Sequence, residues 1–284
     1  MRSRSLLITI VALVALFAAG CSEEAVSPRN DSPQPPELPP TESMDFDFHF
    51  FTDGSFAIDD PTGAQAAANP EGRLNWLNAV IRVTAMNIII ADAFGPAMTA
   101  FGAAIHTTPV IDEDGWFIWT YAWAAGPGHT VTLRLRGRVE GVTVTWRMGV
   151  EDNLADPPMD DFEWFWGQSG LVEDRGFWIF NGFEENQLIE VARVDWEVRA
   201  RTDRDLTFRC IHEGAPEYDD RVTYGVDGRR HSVRFYDASE DLESEILWDV
   251  PSGTGSIRVP DYNGGERACW DEHQFDVVCP DPAL

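Results

Sequence analysis

Adjacent acidic residues are the first feature of this sequence that could do chemistry. Two carboxylates facing each other across a cleft can hydrolyse a glycosidic bond, one as the acid and the other as base or nucleophile, and tryptophan faces nearby can stack on sugars. With 48 Asp and Glu in 284 residues, neighbouring acids also arise by chance, so solvated loops are the alternative interpretation. The clusters, all at expected turns, are Asp112 with Glu113 and Asp114, Asp156 with Asp160 and Asp161, Glu184 with Glu185, Asp219 with Asp220, and Glu240 with Asp241.

The basic residues narrow the function classes. All 21 are arginine, so lysine chemistry such as a Schiff base or a Walker-type phosphate loop is excluded. A formal charge of -27 repels phosphate backbones, and we expect no nucleic-acid partner. The six histidines show no metal-ligand spacing, and nothing marks a catalytic residue or a cofactor site. We therefore favour a protein without enzymatic activity, of undetermined oligomeric state.

The N-terminus has the pattern of an export signal. Arg2 and Arg4 precede an apolar run over residues 6–19, which is too short for a comfortable bilayer span. The run ends in Ala-Ala-Gly before Cys21, which resembles the lipobox of bacterial lipoproteins, with Ala18 where that family prefers a leucine-like residue. The resemblance implies that residues 1–20 are removed, that Cys21 is acylated and that the chain is membrane-anchored, with Ser22 favouring the outer membrane. An ordinary signal peptide, leaving Cys21 as a thiol, is the alternative.

Export to an oxidising compartment also determines how the other cysteines are interpreted. In an oxidising compartment, Cys269 and Cys279 are the easiest pair to bridge, because they lie ten positions apart in one short segment. In the chain-entropy description, a disulfide that closes a loop of this size stabilises the folded state by about 2 to 3 kcal/mol. Cys210 shares a strand face with Leu206 and Phe208, which predicts a buried, inert thiol.

The pattern divides the remaining chain into a tether and one domain. Residues 21–43 are rich in proline and polar residues, as expected of an extended tether, and residues 44–284 form the domain. Within it, Asn69, Pro70 and Glu71 predict a helix start, opening a helical segment over about 70–105 that Gly95 and Pro96 interrupt. This segment is apolar on most sides, which predicts a helix buried in the core.

After Thr108 the hydrophobic pattern alternates, as in strands with one wet face. About ten to twelve such segments, without intervening helices, predict a mainly β (α+β) fold, in which a large antiparallel meander or open barrel packs on the helical segment. Charged residues on the second face of these strands argue against a lipid-facing barrel. One face of the first long strand carries Phe117, Trp119, Tyr121 and Trp123, and alternation places Phe162, Trp164 and Trp166 together on another.

These aromatic faces either fill a core or enclose a cavity for an apolar molecule. The second possibility resembles lipocalins and periplasmic lipoprotein carriers in architecture alone. We expect a membrane-tethered, non-enzymatic envelope lipoprotein that binds an apolar or lipid-like ligand. An envelope glycan hydrolase or carbohydrate-binding protein and a purely structural envelope protein are the alternatives. The candidate lining residues are Phe117, Trp119, Val144, Trp146, Val194 and Trp196.

Overall fold

Strand follows strand through most of the chain after residue 109. The computed structural model describes residues 33–52, 72–155, 159–172, 174–184 and 187–280, and the predicted signal and Cys21 lie outside them. The chain divides into two units after Gln34, and the unit described below is Pro35–Leu284. Its strands are β1 (Val110–Ile111), β2 (Phe117–Gly126), β3 (His129–Glu140), β4 (Thr143–Asp152), β5 (Met159–Gly170), β6 (Arg175–Glu184), β7 (Gln187–Ala200), β8 (Asp203–Cys210), β9 (Arg221–Asp227), β10 (Arg230–Asp237), β11 (Leu242–Asp249), β12 (Gly255–Arg258), β13 (Ala268–Trp270) and β14 (Asp276–Val277).

The fourteen strands form one antiparallel meander in which each strand pairs with the next along the chain. This confirms the predicted mainly β fold. The sheet is not closed, because β1 and β14 are its two edges and no pairing among the described strands joins them. The structure has more than the ten to twelve expected strands, since β1 and β13, with two and three residues, are too short to show alternation.

One long helix covers the inner face of the sheet. The helices are α1 (His49–Thr52) and α2 (Leu74–Ala104), with 3₁₀ turns at Thr41–Met44 and Asn263–Gly265. The predicted interruption at Gly95 and Pro96 is wrong, because α2 is continuous through both residues. Buried residues on both sides of this point pack on the core, which outweighs the backbone hydrogen bond that proline removes. The predicted start at residues 69–71 lies outside the described residues.

The helix buries one face and leaves the other in solvent. Ala79, Val83 and Ala97 are fully buried, whereas Ile81 and Ile88 are 66% and 63% exposed. The helix is therefore amphipathic in the folded structure. The prediction from composition, a helix buried on most sides, is wrong. No described helix combines the length and the apolar character that a membrane crossing requires.

Side chains near the C-terminus of the chain hold the first turn of α2. The two carboxylate oxygens of Asp276 accept hydrogen bonds from the backbone N–H groups of Leu74 (3.1 Å) and Asn75 (2.9 Å), which satisfies donors that a helix start leaves unpaired. The Asn75 amide donates to the Cys269 carbonyl at 2.7 Å, and Arg82 pairs with Asp261. The other end of α2 contacts β2 and β3, so the sheet curves around the helix.

Residues before 44 already pack against the core. Pro36 and Pro39 are buried, and Ser43 is fully buried, with its hydroxyl accepting a hydrogen bond from the Trp178 indole at 3.3 Å. Phe48 follows in the core and meets Tyr224 edge to face, with ring centroids 5.5 Å apart. The last residues of the predicted tether therefore pack on the sheet.

Four buried tryptophans pack over glycines on neighbouring strands. A Cβ at any of these glycines would lie within 3.0 Å of the facing indole ring. The ring occupies the space that a side chain on the next strand would otherwise take, which is the arrangement known as aromatic rescue of glycine. The directly paired residues are Gly137 with Trp146, Gly167 with Trp178, Gly176 with Trp196, and Gly255 with Trp270.

The outer face of the sheet carries ion pairs between strands. Arg136 binds Asp161 at 2.8 Å, Arg147 binds Glu163 at 2.9 Å and Arg199 binds Asp205 at 2.7 Å. Each of these side chains is at least one-quarter exposed to solvent, so each pair contributes at most about 1 kcal/mol. Together these charged side chains make the outer face polar and solvent-exposed, as the alternating sequence predicts.

Cys269 and Cys279 confirm the predicted pairing, with their sulfur atoms at disulfide distance and their Cα atoms 5.1 Å apart. The bridge ties the segment after β14 to β13 in the core. Cys210 is a free, half-buried thiol whose pKa is raised by burial. A raised pKa favours the protonated thiol over the nucleophilic thiolate.

Candidate functional site

Burial of the inward-facing side chains changes along β2. Phe117 and Trp119 are 7% and 3% exposed, whereas Tyr121 and Trp123 on the same face are 38% and 39% exposed. The register places Tyr121 opposite Leu133 on β3. The inner face of the sheet is thus packed at one end of these strands and open at the other.

A cavity of about 740 Å³ occupies the open end, between the last turns of α2 and the inner face of β2 to β5. This volume falls in the range of about 300 to 1,000 Å³ that is usual for ligand pockets. The helix contributes the small side chains of Thr99, Ala100 and Ala103, which leave room between the two layers. The residues that line this apolar cavity are Thr99, Ala100, Ala103, Tyr121, Trp123, Val131, Leu133, Val150, Asp152, Met159, Phe162 and Trp164.

A bulge in β5 shapes the wall of the apolar cavity. Met148 on β4 pairs with Phe165, but the next residue, Gly149, pairs with Glu163, so Trp164 is an extra residue without a partner. The bulge lets both Phe162 and Trp164 line the cavity, and it reverses the alternation beyond this point. Trp166 consequently lies on the outer face, where its indole donates to Glu190 at 3.1 Å, and its predicted place beside Phe162 is wrong.

The one charged residue among those lining the apolar cavity is Asp152, at the end of β4. Its Oδ1 accepts hydrogen bonds from the backbone N–H groups of Leu154 (2.9 Å) and Ala155 (3.1 Å) and lies 2.8 Å from Nε2 of His129. The Leu154 hydrogen bond is the main cause that holds the pKa of Asp152 below its ordinary value, and His129 adds to it. Asp152 is therefore an ionised, partly exposed carboxylate at the rim.

The six candidate lining residues from the sequence lie on the inner face but in the packed part of the core. Their exposed fractions are between 0% and 7%, and none of them lines the apolar cavity. The rings of Trp119 and Trp146 lie 5.9 Å apart, and Trp196 stacks on Trp178 with centroids 6.3 Å apart. Val144 and Trp196 also border a polar void of about 550 Å³ beside residues 37–40. The six are Phe117, Trp119, Val144, Trp146, Val194 and Trp196.

The sequence already contained part of the signal for the apolar cavity. Tyr121 and Trp123 continue the aromatic row of Phe117 and Trp119, but nothing in the alternation distinguishes the packed end of the row from the open end. Sequence reasoning missed the contribution of the helix, because Ala100 and Ala103 carry no local mark of lining a site.

No protein family, curated protein or solved structure matches this chain. Within the described ranges, no group of three or more His, Cys, Asp or Glu side chains is placed to hold a metal ion.

A second cleft, of about 560 Å³, collects carboxylates and is where paired-acid chemistry would be sought. Its acids include Asp203, Asp205, Asp227 and Asp249, none of which belongs to the clusters named from the sequence. A hydrogen bond from Arg229 lowers the pKa of Asp249 to about 2, and one from Arg199 lowers the pKa of Asp203. A general acid needs the opposite shift, so these two carboxylates serve as ion-pair partners.

A third space, of about 780 Å³, is a groove over β4 to β8. Its lining includes the predicted residue Trp196 and the exposed Val142 and Val172, together with the charged residues Arg175, Asp195, Glu197 and Asp205. Because charged groups share this groove, an apolar molecule would have to displace water from them at a cost. The apolar cavity is the better site for such a molecule.

Proposed function

We propose that this chain binds an elongated apolar molecule in the apolar cavity between α2 and β2 to β5. The observation that carries the proposal is the abrupt change along β2, where the same aromatic row passes from packed core to cavity wall. A core of this size normally closes on itself at high density, and an unfilled space lined by aromatic and aliphatic side chains is a common form of ligand site.

Removal of apolar surface from water supplies the driving force, at about 25 cal/mol per Å². Val131, Leu133 and Val150 form the buried floor, with exposed fractions of 2% to 8%. Tyr121 and Trp123 stand at the open side, with ring centroids 5.7 Å apart, and reach solvent. A ligand would cover both rings as well as the floor, so shape and length decide affinity more than polar contacts do.

Binding is tested by titrating the full chain, purified and freed of detergent, with the neutral fluorescent probe N-phenylnaphthylamine and with hexadecanol as competitor. We expect saturable probe emission, displacement by hexadecanol and a rise in melting temperature, because a ligand at about 100 times its Kd stabilises the folded state by about 2.7 kcal/mol. A folded chain that shows neither saturable emission nor a shifted melting temperature would reject the proposed function.

The same proposal includes a membrane tether at Cys21, supported by the small residues that end the apolar run before it. Acyl chains on this cysteine would hold the protein at the outer membrane and bring the apolar cavity within reach of lipid. We expect the mass of the mature N-terminal peptide to show an acylated Cys21, and Cys21→Ser to leave an unprocessed or soluble precursor. A mature chain that carries a bare thiol at Cys21 would mean ordinary secretion.

A further inference from the structure

The two carboxylate oxygens of Asp152 differ in their hydrogen bonding. Oδ1 takes all three of its contacts, from Leu154, Ala155 and His129. Oδ2 has no hydrogen-bond partner among the described residues. Three contacts to one oxygen hold the carboxylate in place, and Asp152 is one of the residues that line the apolar cavity.

The rest of the lining offers no counterpart charge. Of the described residues that line the apolar cavity, Asp152 alone is ionisable near neutral pH, and no arginine is among them. The chain as a whole carries a formal charge of -27. A ligand whose polar end is an anion would therefore face a fixed like charge at the rim and a repulsive surrounding field.

Resting on the proposed function, we infer that the apolar cavity selects long-chain molecules whose polar end donates a hydrogen bond, a hydroxyl or an ammonium group, over fatty-acid anions. The chain of such a ligand lies against Leu133, Val150 and Phe162, and its donor meets Oδ2 of Asp152. An alcohol uses the hydrogen bond alone, and an amine adds the attraction of opposite charges. A fatty-acid anion has neither.

The contributions of the hydrogen bond and of charge can be separated with four ligands of the same alkyl-chain length. Each ligand displaces N-phenylnaphthylamine from the full-length protein, at concentrations below those at which it forms micelles. We expect hexadecanol and hexadecylamine to displace the probe at concentrations at least about tenfold lower than hexadecanoate, with methyl hexadecanoate also weaker than the alcohol. Equal displacement by all four, or a preference for hexadecanoate, would overturn the head-group inference while leaving the proposed function intact. A methyl ester as effective as the alcohol would overturn the hydrogen bond to Oδ2.

Asp152→Asn tests the assignment to this side chain. Asparagine keeps an oxygen that can accept from Leu154 and Ala155, but it removes the charge, so we expect the gap between hexadecanol and hexadecanoate to shrink to about threefold or less. Glu243→Gln is the matched control, because it removes one negative charge from an exposed position on β11 and should leave the gap unchanged. An unchanged gap in Asp152→Asn would overturn the assignment. Failure of the probe to bind the unaltered chain would instead reject the proposed function itself.

Discussion

Ala103→Trp is expected to weaken binding of N-phenylnaphthylamine and hexadecanol by at least about tenfold. Ala103 lines the apolar cavity from α2, and an indole at this position would occupy the space that the ligand needs. Because the added ring enters an existing space, the overpacking cost of a full core does not apply, and the free energy of unfolding should change by less than about 1 kcal/mol. Probe titration measures the first quantity and urea denaturation the second.

Ala85→Trp is the control for the added indole. Ala85 lies on the exposed side of the same helix, so its ring would point to solvent and leave the apolar cavity unchanged. Binding by this variant should match that of the unaltered chain. If Ala103→Trp folds and still binds both ligands with unchanged affinity, the ligand site lies elsewhere, and the charged groove over β4 to β8 becomes the next place to examine.

The course of the chain through the sheet follows from local pattern. Alternating segments predicted about ten to twelve strands, because most of the long strands have one face in the core and one in water. The two missed strands lie where this contrast vanishes: β1 is exposed at both positions, and Ala268, Cys269 and Trp270 of β13 are all buried. Strands this short are defined by their partners and leave little trace in sequence.

The position of the apolar cavity depends on tertiary structure. Alternation identified the inner face correctly, but the free space arises where Ala100 and Ala103 of α2 stand opposite β2 to β5. The helix is also held by distant residues, since Asp276 caps its first turn from about 200 residues away along the chain. The bulge at Trp164 likewise has no local mark, and it decides which aromatic residues of β5 face inward.

The largest effects on stability are expected at the glycines that face tryptophans. A Cβ at Gly167 would come within 2.6 Å of the Trp178 ring and closer still to the Phe177 carbonyl oxygen, and one at Gly255 would meet the Trp270 ring and the Leu247 carbonyl oxygen. Neither carbonyl can retreat without breaking the sheet. We expect Gly167→Ala and Gly255→Ala each to lower the free energy of unfolding by about 3 kcal/mol or more, measured by urea denaturation.

Gly102→Ala is the matched control, since a Cβ there meets no atom within 4 Å and lies in a helix. Alanine has the higher helix propensity, so this variant should be unchanged or more stable by up to about 1 kcal/mol. Comparable losses at Gly102 and Gly167 would show that backbone flexibility, and not the facing ring, determines the requirement for glycine.

A double-mutant comparison separates the ring from the backbone. At Gly137 the three atoms nearest to an added Cβ all belong to the Trp146 ring, so Gly137→Ala should be partly rescued when Trp146→Phe makes room. At Gly167 the Phe177 carbonyl oxygen remains in place, so Trp178→Phe should rescue Gly167→Ala much less. We expect a favourable coupling energy of about 1 to 2 kcal/mol for the first pair and a smaller one for the second. Equal rescue at both sites would mean that the sheet backbone yields to the new methyl group, and that the tryptophans alone hold these strands in register.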